Sequence, residues 1–313
     1  MSIKGVFRKL PSISVNNNTI IVSGNFIKIA VIKDEFWSES NLPNDLENII
    51  GILKQKNLYA DIFNFTQHLP DTQPIYDYHR EAYSVAAIPI TSFDDWWENR
   101  LSQVTRKNIR RATRRGVAVK SRAFDDQLIK EIVKINNETP IRSGRRFWHY
   151  GKNFESVKKD YSDFLDRSEF LGAYFDNQLI GFLRLIFAKE TANIIQLLCM
   201  NKHHDKRPAN ALIARAVELC VENRNKYLTY GQYIYDGYDD SPLTEFKRRN
   251  GFEQFLVPSY YVPLTLKGNM LIKLNLHLGL KKLVPGRVLN MARGVRAKLQ
   301  KLAIGNADIE ESE

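Results

Sequence analysis

Apolar positions fall into two rhythms that take turns along this chain. Period-two runs predict strands at Thr19–Ser23 and Phe26–Ile32, and again at Ala60–Phe65 and Tyr83–Ile90. Between the second and third runs, Leu46, Ile49, Ile50 and Leu53 recur at helical spacing over residues 44–55. A proline-containing loop over 69–75 separates the last two strands. Residues 1–90 therefore predict a small α/β unit.

A second unit is predicted over 91–265. Ser92-Phe-Asp-Asp95 has the outline of a capping box, with Asp where Glu is usual. It opens a helix that carries Trp96, Trp97, Leu101, Val104, Ile109 and Ala112 and ends at Arg115-Gly116. Val117–Val119 predicts a short strand. Asp125 caps a helix with Leu128, Ile132 and Ile135. Residues 153–166 predict another, with Phe154, Val157, Tyr161, Phe164 and Leu165 on one face. Phe170–Phe175 and 178–187 then flank Asp176-Asn177, a pair that tolerates positive φ and so predicts a hairpin. A third strand, Asn193–Met200, leads through the polar loop 203–207 to a helix that starts at Pro208. Its residues Leu212, Ile213, Ala216, Leu219 and Cys220 face a core. Strand Tyr227–Tyr230, a basic helix over 241–250 and Gly251-Phe252 before a last strand complete the unit.

Composition adds scale and charge. The 313 residues, 43% hydrophobic and 26% charged, suffice for one large or two ordinary cores. No run of about 18 apolar residues suggests a spanning helix. The first residues lack an apolar signal core, so the expected location is cytoplasmic. Cys199 and Cys220 lie in apolar runs and are expected to be reduced core residues. No Cys/His spacing suggests a metal, since the adjacent His203-His204 cannot share a helix face. The net charge of +11 is concentrated: 100–122 holds nine Lys/Arg and no acid, and so does 264–302. Such runs imply anionic partners.

The order strand, strand, strand, loop, helix, strand, helix, strand, with the ending Phe246-Lys-Arg-Arg-Asn-Gly-Phe252, resembles the acyltransferase core of the GNAT superfamily. The run Arg106-Lys-Asn-Ile-Arg-Arg-Ala-Thr-Arg-Arg-Gly116 is similar to the element that opens the second domain of its FemAB-like branch, which also contains BioF2-like acetyltransferase domains. The resemblance covers roughly 92–265. It implies an α/β, tandem GNAT-like (FemAB-like) fold with a mixed, mostly antiparallel sheet flanked by helices. Residues 1–90 would be a reduced GNAT-like unit, 91–265 the core, and 266–313 a basic helical tail.

In that family the acyl-CoA arm lies along a strand and its pyrophosphate sits at the next helix N-terminus. The expected cofactor is acetyl-CoA or another acyl-CoA, with no metal. Its expected contacts here are Leu198, Cys199 and Met200, then Lys206, Arg207, Ala209 and Asn210. Of the family's Arg/Gln-x-x-Gly-x-Gly/Ala pattern, at His204, Arg207 and Ala209, only Ala209 matches; Arg207 replaces a glycine and Pro208 removes an N–H. A plain helix start is the competing reading.

The loop 136–152 mixes charged and aromatic residues where such enzymes line the acceptor site. Arg142, Arg145, Arg146 and Trp148 are candidates to hold an anionic small-molecule or peptide amine. Glu138 or His149 could deprotonate its ammonium. Tyr235, in a tyrosine cluster with Tyr238, could protonate the leaving group. The competing reading packs these aromatics structurally. The expected activity is N-acyl transfer by direct attack, without a covalent enzyme intermediate. One alternative is FemAB-like transfer from aminoacyl-tRNA, although no sequence for that branch's helical arm is evident. The other is a non-catalytic module that binds nucleic acid or an anionic membrane. Helix 106–115 reads either as a solvated face or as a phosphate contact. In the tail, Met270, Leu271, Leu274 and Leu278 form one apolar face, and Val288, Leu289, Ala292, Val295, Leu299 and Leu302 a second. Basic faces of this kind suit the inner surface of a membrane or docking on the domain.

Overall fold

The computed structural model describes residues 2–3, 6–7, 10–15, 18–37, 46–55, 58–142, 144–235 and 241–278. Eleven strands form one sheet: β1 (Ser12–Val15), β2 (Asn18–Ser23), β3 (Ile29–Ile32), β4 (Ile62–Thr66), β5 (His79–Pro89), β6 (Ala118–Arg122), β7 (Ser168–Phe175), β8 (Gln178–Ala188), β9 (Thr191–Cys199), β10 (Tyr227–Gln232) and β11 (Glu253–Pro263). Their order is β1-β2-β3-β4-β11-β5-β10-β9-β8-β7-β6. Neighbours are antiparallel except β3 with β4 and β9 with β10. The two halves exchange strands. β11, the last strand in sequence, lies between β4 and β5, and β5 of the first half lies against β10 of the second.

Among the described residues, seven helices of eight residues or more flank the sheet: α1 (Leu46–Gln55), α2 (Gln103–Arg114), α3 (Asp126–Asn136), α4 (Phe154–Tyr161), α5 (Pro208–Glu222), α6 (Pro242–Arg249) and α7 (Leu266–Lys273). Alternate residues of β8 divide between its faces, as a pleated strand requires. Leu183 and Leu185 pack with Leu212, Ile213 and Ala216 of α5; Phe182 packs with Leu128 and Ile132 of α3 and Val157 of α4. In the first half, Ile49, Ile50 and Leu53 of α1 cover Phe63, Phe65 and Tyr260. Asp176 and Asn177 both adopt positive φ and close the β7–β8 hairpin where the sequence predicts it. Cys199 and Cys220 are free and buried.

Three predicted elements differ. The helix expected to run unbroken from 92 to 115 is two. A turn over Phe93–Asp95 and a wider one over Trp96–Arg100 end at the extended Leu101; the Ser102 hydroxyl then accepts from Thr105 N–H and starts α2. Trp96 is held beneath the break by donation from Nε1 to Asn250 O, 3.0 Å, and Val104 is left exposed. The helix expected over 153–166 stops at Tyr161, because Phe164 takes a left-handed conformation, and Leu165 is exposed. In α7, Leu271 and Ile272 pack on Ile62 while Met270 and Leu274 face solvent, so the expected apolar stripe is split. The second tail face, from Val288 to Leu302, lies outside the described residues, as does Tyr238. Among the described residues no helix is long and apolar enough to cross a membrane.

Candidate functional site at a notch in the sheet

The one parallel pair of the second half is short. β9 and β10 pair only through Thr191–Asn193 and Tyr227–Thr229, then diverge. Both strands carry an extra residue at that level. Ile195 has no partner between Ile194↔Leu185 and Gln196↔Arg184, and the β10–β5 register slips between Thr229 and Gln232. A bulge bends its strand and sharpens the twist, so two bulges on neighbouring strands open a notch. A buried polar clasp holds its apex: Thr229 Oγ1 and Asn193 Oδ1 lie 2.6 Å apart, and Asn193 Nδ2 donates to Ile186 O at 3.2 Å. On the β10 side the chain turns at Gly231, φ +57°. A Cβ there would sit 2.8 Å from the Tyr235 hydroxyl, so glycine serves both the backbone and the approach of that hydroxyl.

A cavity of about 270 Å³ fills the notch. Ile194, Ile195 and Asn193 line it from β9, and Thr229, Tyr230, Gly231 and Tyr235 from β10 and beyond. The first half supplies the other wall, with Phe36, Trp37, His68, Tyr83 and Val85. Phe36 stacks on both His68 and Tyr83, at 5.2 Å between ring centres.

The lining is apolar but rich in proton carriers. Burial lowers His68 to about 4, helped by the charge of Lys189, so its imidazole is neutral at pH 7; its Nε2 is buried without a hydrogen-bond partner. Burial raises the hydroxyls of Tyr83, Tyr230 and Tyr235, which keeps all three protonated. Beside Phe36, burial pushes the Glu35 carboxyl up to about 8 against the opposing pull of Thr66, whose N–H donates to Oε1 at 2.8 Å. Behind the tyrosines lies Lys247 of α6, fully buried. Its ammonium is 4.7 Å from the ring centres of both Tyr230 and Tyr235, and donates to Gln232 O at 2.5 Å. Burial lowers it to about 8.

Of the residues singled out from sequence, only Tyr235 lines this cavity. The loop 136–152 divides. Glu138 accepts from Asn201 N–H at 2.7 Å and Lys202 N–H at 3.0 Å, and from the Arg142 guanidinium at 3.1 Å. Arg142 also donates to Cys199 O at 2.8 Å and lies over the Phe147 ring. Both side chains thus tie the loop to the end of β9. His149 is buried beside Trp148, its Nε2 3.5 Å from the Gln196 amide, and burial lowers it to about 3. Gln196 is one residue past the Ile195 that lines the cavity. Arg145, Arg146 and Trp148 face solvent, with Lys152 over the Trp148 ring.

The expected carrier contacts lie outside the cavity lining, at the end of β9 and the start of α5. Cys199 O is engaged by Arg142, and Met200 N–H donates to Ile180 O at 2.8 Å; Leu198 is buried in the core of α3 and α4. Before α5, Arg207 adopts φ +60°, the left-handed conformation that a glycine would take freely. The N–H groups of Asn210 and Ala211 both point back to Arg207 O. The Asn210 side chain donates to Asn250 Oδ1, and Ala209 packs on the main core. Lys206 lies over the Phe175 ring, 3.5 Å from an Asp205 carboxylate oxygen.

Sequence reasoning missed Glu35, His68, Tyr83 and Lys247. The first three sit in the half that carried no motif, and strand exchange alone brings them to β10. Lys247 stands in the Phe246–Phe252 motif, but nothing in a row of three basic residues says which one is buried.

No protein-family model matches the sequence, and no curated protein matches it. Solved structures do. FemX is 11% identical, covering 79% of this chain and 86% of that one at a TM-score of 0.53. The C-terminal domain attributed to a lysylphosphatidylglycerol synthetase of Agrobacterium fabrum is 13% identical, covering 84% and 87%, at 0.56. L-PGS from Bacillus licheniformis is 14% identical, covering 83% and 85%, at 0.52. At these identities the likeness is one of fold alone: the chain has the fold that FemX shares with these two structures, a mixed, mostly antiparallel sheet flanked by helices.

Proposed function

We propose that this chain transfers an acyl group from an activated carrier to an amine, with the reacting carbonyl in the notch cavity. The observation that carries this reading is the pair of opposed bulges in β9 and β10. They open a strand edge toward a cavity lined by one neutral imidazole and three protonated tyrosines. The carrier arm would run along β9, with acyl-CoA as the first candidate. The amine nitrogen attacks the carbonyl carbon, and His68 accepts the proton that the nitrogen sheds. The carbon–sulfur bond of a thioester breaks, and Tyr235 gives its proton to the departing thiolate. Lys247, against the Tyr235 ring, steadies the negative charge that the phenol gains. An anionic part of the acceptor would meet the exposed Arg145 and Arg146 rather than the engaged Arg142.

A second donor, the ester of aminoacyl-tRNA, is favoured by the start of α5. Pro208 offers no N–H, the N–H groups of Asn210 and Ala211 are taken up by Arg207 O, and Asp205 adds a negative charge. These features weaken a cradle for a diphosphate. Native mass spectrometry of the purified protein, looking for bound CoA or tRNA, separates the two donors. Thiol release from acyl-CoA in the presence of an amine panel then reads turnover. Absence of both ligands, with no release above a Tyr235→Phe control, would sink acyl transfer as the activity.

A further inference from the structure

On the same sheet, further along β5 from the cavity-lining Tyr83, three side chains gather that the proposed reaction does not use. His79 and Glu81 lie two residues apart on β5, so both point to one face of the strand. His79 Nε2 is 3.5 Å from Glu81 Oε1. The third, His277, arrives from the other end of the chain. α7 packs Leu271 and Ile272 against Ile62, and the turn Leu276–Leu278 after it lays the His277 ring over β5 and β11. That ring meets His79 edge-on at 4.9 Å and Tyr261, the cross-strand partner of His79, at 4.6 Å. His277 is buried, Glu81 half-buried and His79 exposed. One ligand atom from each of the three lies within 4.8 Å of the other two.

We propose that His79, Glu81 and His277 bind one Zn²⁺ ion, with a fourth position left to water. Two imidazoles and one carboxylate are a donor set that suits zinc, and with metal–ligand distances of about 2.0–2.2 Å they leave one tetrahedral position open. Donors around such an ion stand roughly 3.4 Å apart by that geometry. The His79–Glu81 separation of 3.5 Å already meets it. The remaining separations, none above 4.8 Å, close by small rotations of the partly exposed His79 and Glu81 side chains toward the buried His277. The ion would join the turn after α7 to β5, so metal binding and docking of that turn are one event. Spacing along the sequence hides the site, because its ligands come from residues 79, 81 and 277 and are neighbours only once β5 and α7 meet on the sheet.

The test uses the untagged full-length protein, stripped with a chelator, loaded with ZnCl₂ and dialysed. Elemental analysis should find one Zn²⁺ per chain, and Co²⁺ in its place should give the visible absorption of a four-coordinate N/O site. Glu81→Gln and His79→Gln change half-buried and exposed side chains and should leave the fold intact. Each should weaken Zn²⁺ at least as much as loss of an outer-sphere partner does, about 10–100-fold. His203→Gln, at a histidine remote from the three, should bind as the wild type does. His277→Gln should lose the ion and lower the melting temperature of the zinc-loaded protein toward that of the stripped one. A stripped protein that takes up no Zn²⁺ overturns the proposal. So does unchanged affinity in Glu81→Gln and His79→Gln, or loss of the ion in His203→Gln.

Discussion

Replacing Lys247 with methionine should make this protein more stable at pH 7 and less stable at pH 10. The side chain is fully buried, and burial lowers its ammonium from 10.5 to about 8. Each unit is worth about 1.4 kcal/mol, so holding the charge at pH 7 costs roughly 3 kcal/mol. Methionine fits a similar volume without that cost. It leaves Gln232 O without its donor, a loss of about 1–3 kcal/mol, so the net gain at pH 7 is on the order of 1 kcal/mol. The folded pKa is depressed below the unfolded one. Between about pH 8 and 10.5 the unfolded chain therefore holds more protons than the native state, and wild-type stability rises with pH through that window. The variant lacks this rise, and by pH 10 only its lost hydrogen bond remains. Urea unfolding followed by tryptophan fluorescence at the two pH values measures the difference. A variant about 2 kcal/mol or more less stable than wild type at both pH values would refute the reasoning. It would show that the ammonium clamps Tyr230, Tyr235 and Gln232 with net gain. Because Lys247 supports Tyr235 in the proposed reaction, the stabilised variant should also turn over more slowly.

Tyr235→Phe should keep the fold by circular dichroism and lower acyl-transfer turnover about 100-fold or more, the usual yield of a general acid; unchanged turnover would remove the hydroxyl from the reaction. Glu35 is raised above its unfolded value, so wild-type stability falls as pH rises from about 4.5 to about 8. Glu35→Gln should flatten that fall, which amounts to roughly 3–5 kcal/mol with the lower end expected for a half-buried group, and melting curves at pH 5 and pH 8 read it. Arg142→Ala removes donors from Cys199 O and Glu138 and should destabilise by about 3 kcal/mol, whereas Arg145→Ala and Arg146→Ala, at exposed positions, should each stay within about 0.5 kcal/mol in the same unfolding assay.

Most elements of the second half were legible in the sequence, because they are written in local patterns. Asp176-Asn177 set the β7–β8 hairpin, and the apolar stripe of α5 set the face that it buries. Ser241, Asp125 and Asn153 start α6, α3 and α4, their side chains accepting from the first turn. The same patterns led to the FemAB-like reading and to Tyr235. Patterning failed where tertiary contacts overrule it. The break at Leu101 and Ser102 is fixed by Trp96 reaching Asn250, far away in the chain, and the early end of α4 by the left-handed Phe164.

The candidate site lay almost wholly beyond the sequence. Its walls come from 36–37, 67–69, 83–85, 191–195 and 229–235, and they meet only because the two halves exchange β5 and β11 in a single sheet. Composition shows three arginines near residue 144 and three basic residues from 247 to 249. Only packing decides that Arg142 and Lys247 go inside while Arg145, Arg146, Arg248 and Arg249 stay in water. The physical reason is that burial, and with it every shifted pKa at the notch, depends on which distant surfaces close over a side chain; a local pattern fixes the face a residue is on but not what covers it.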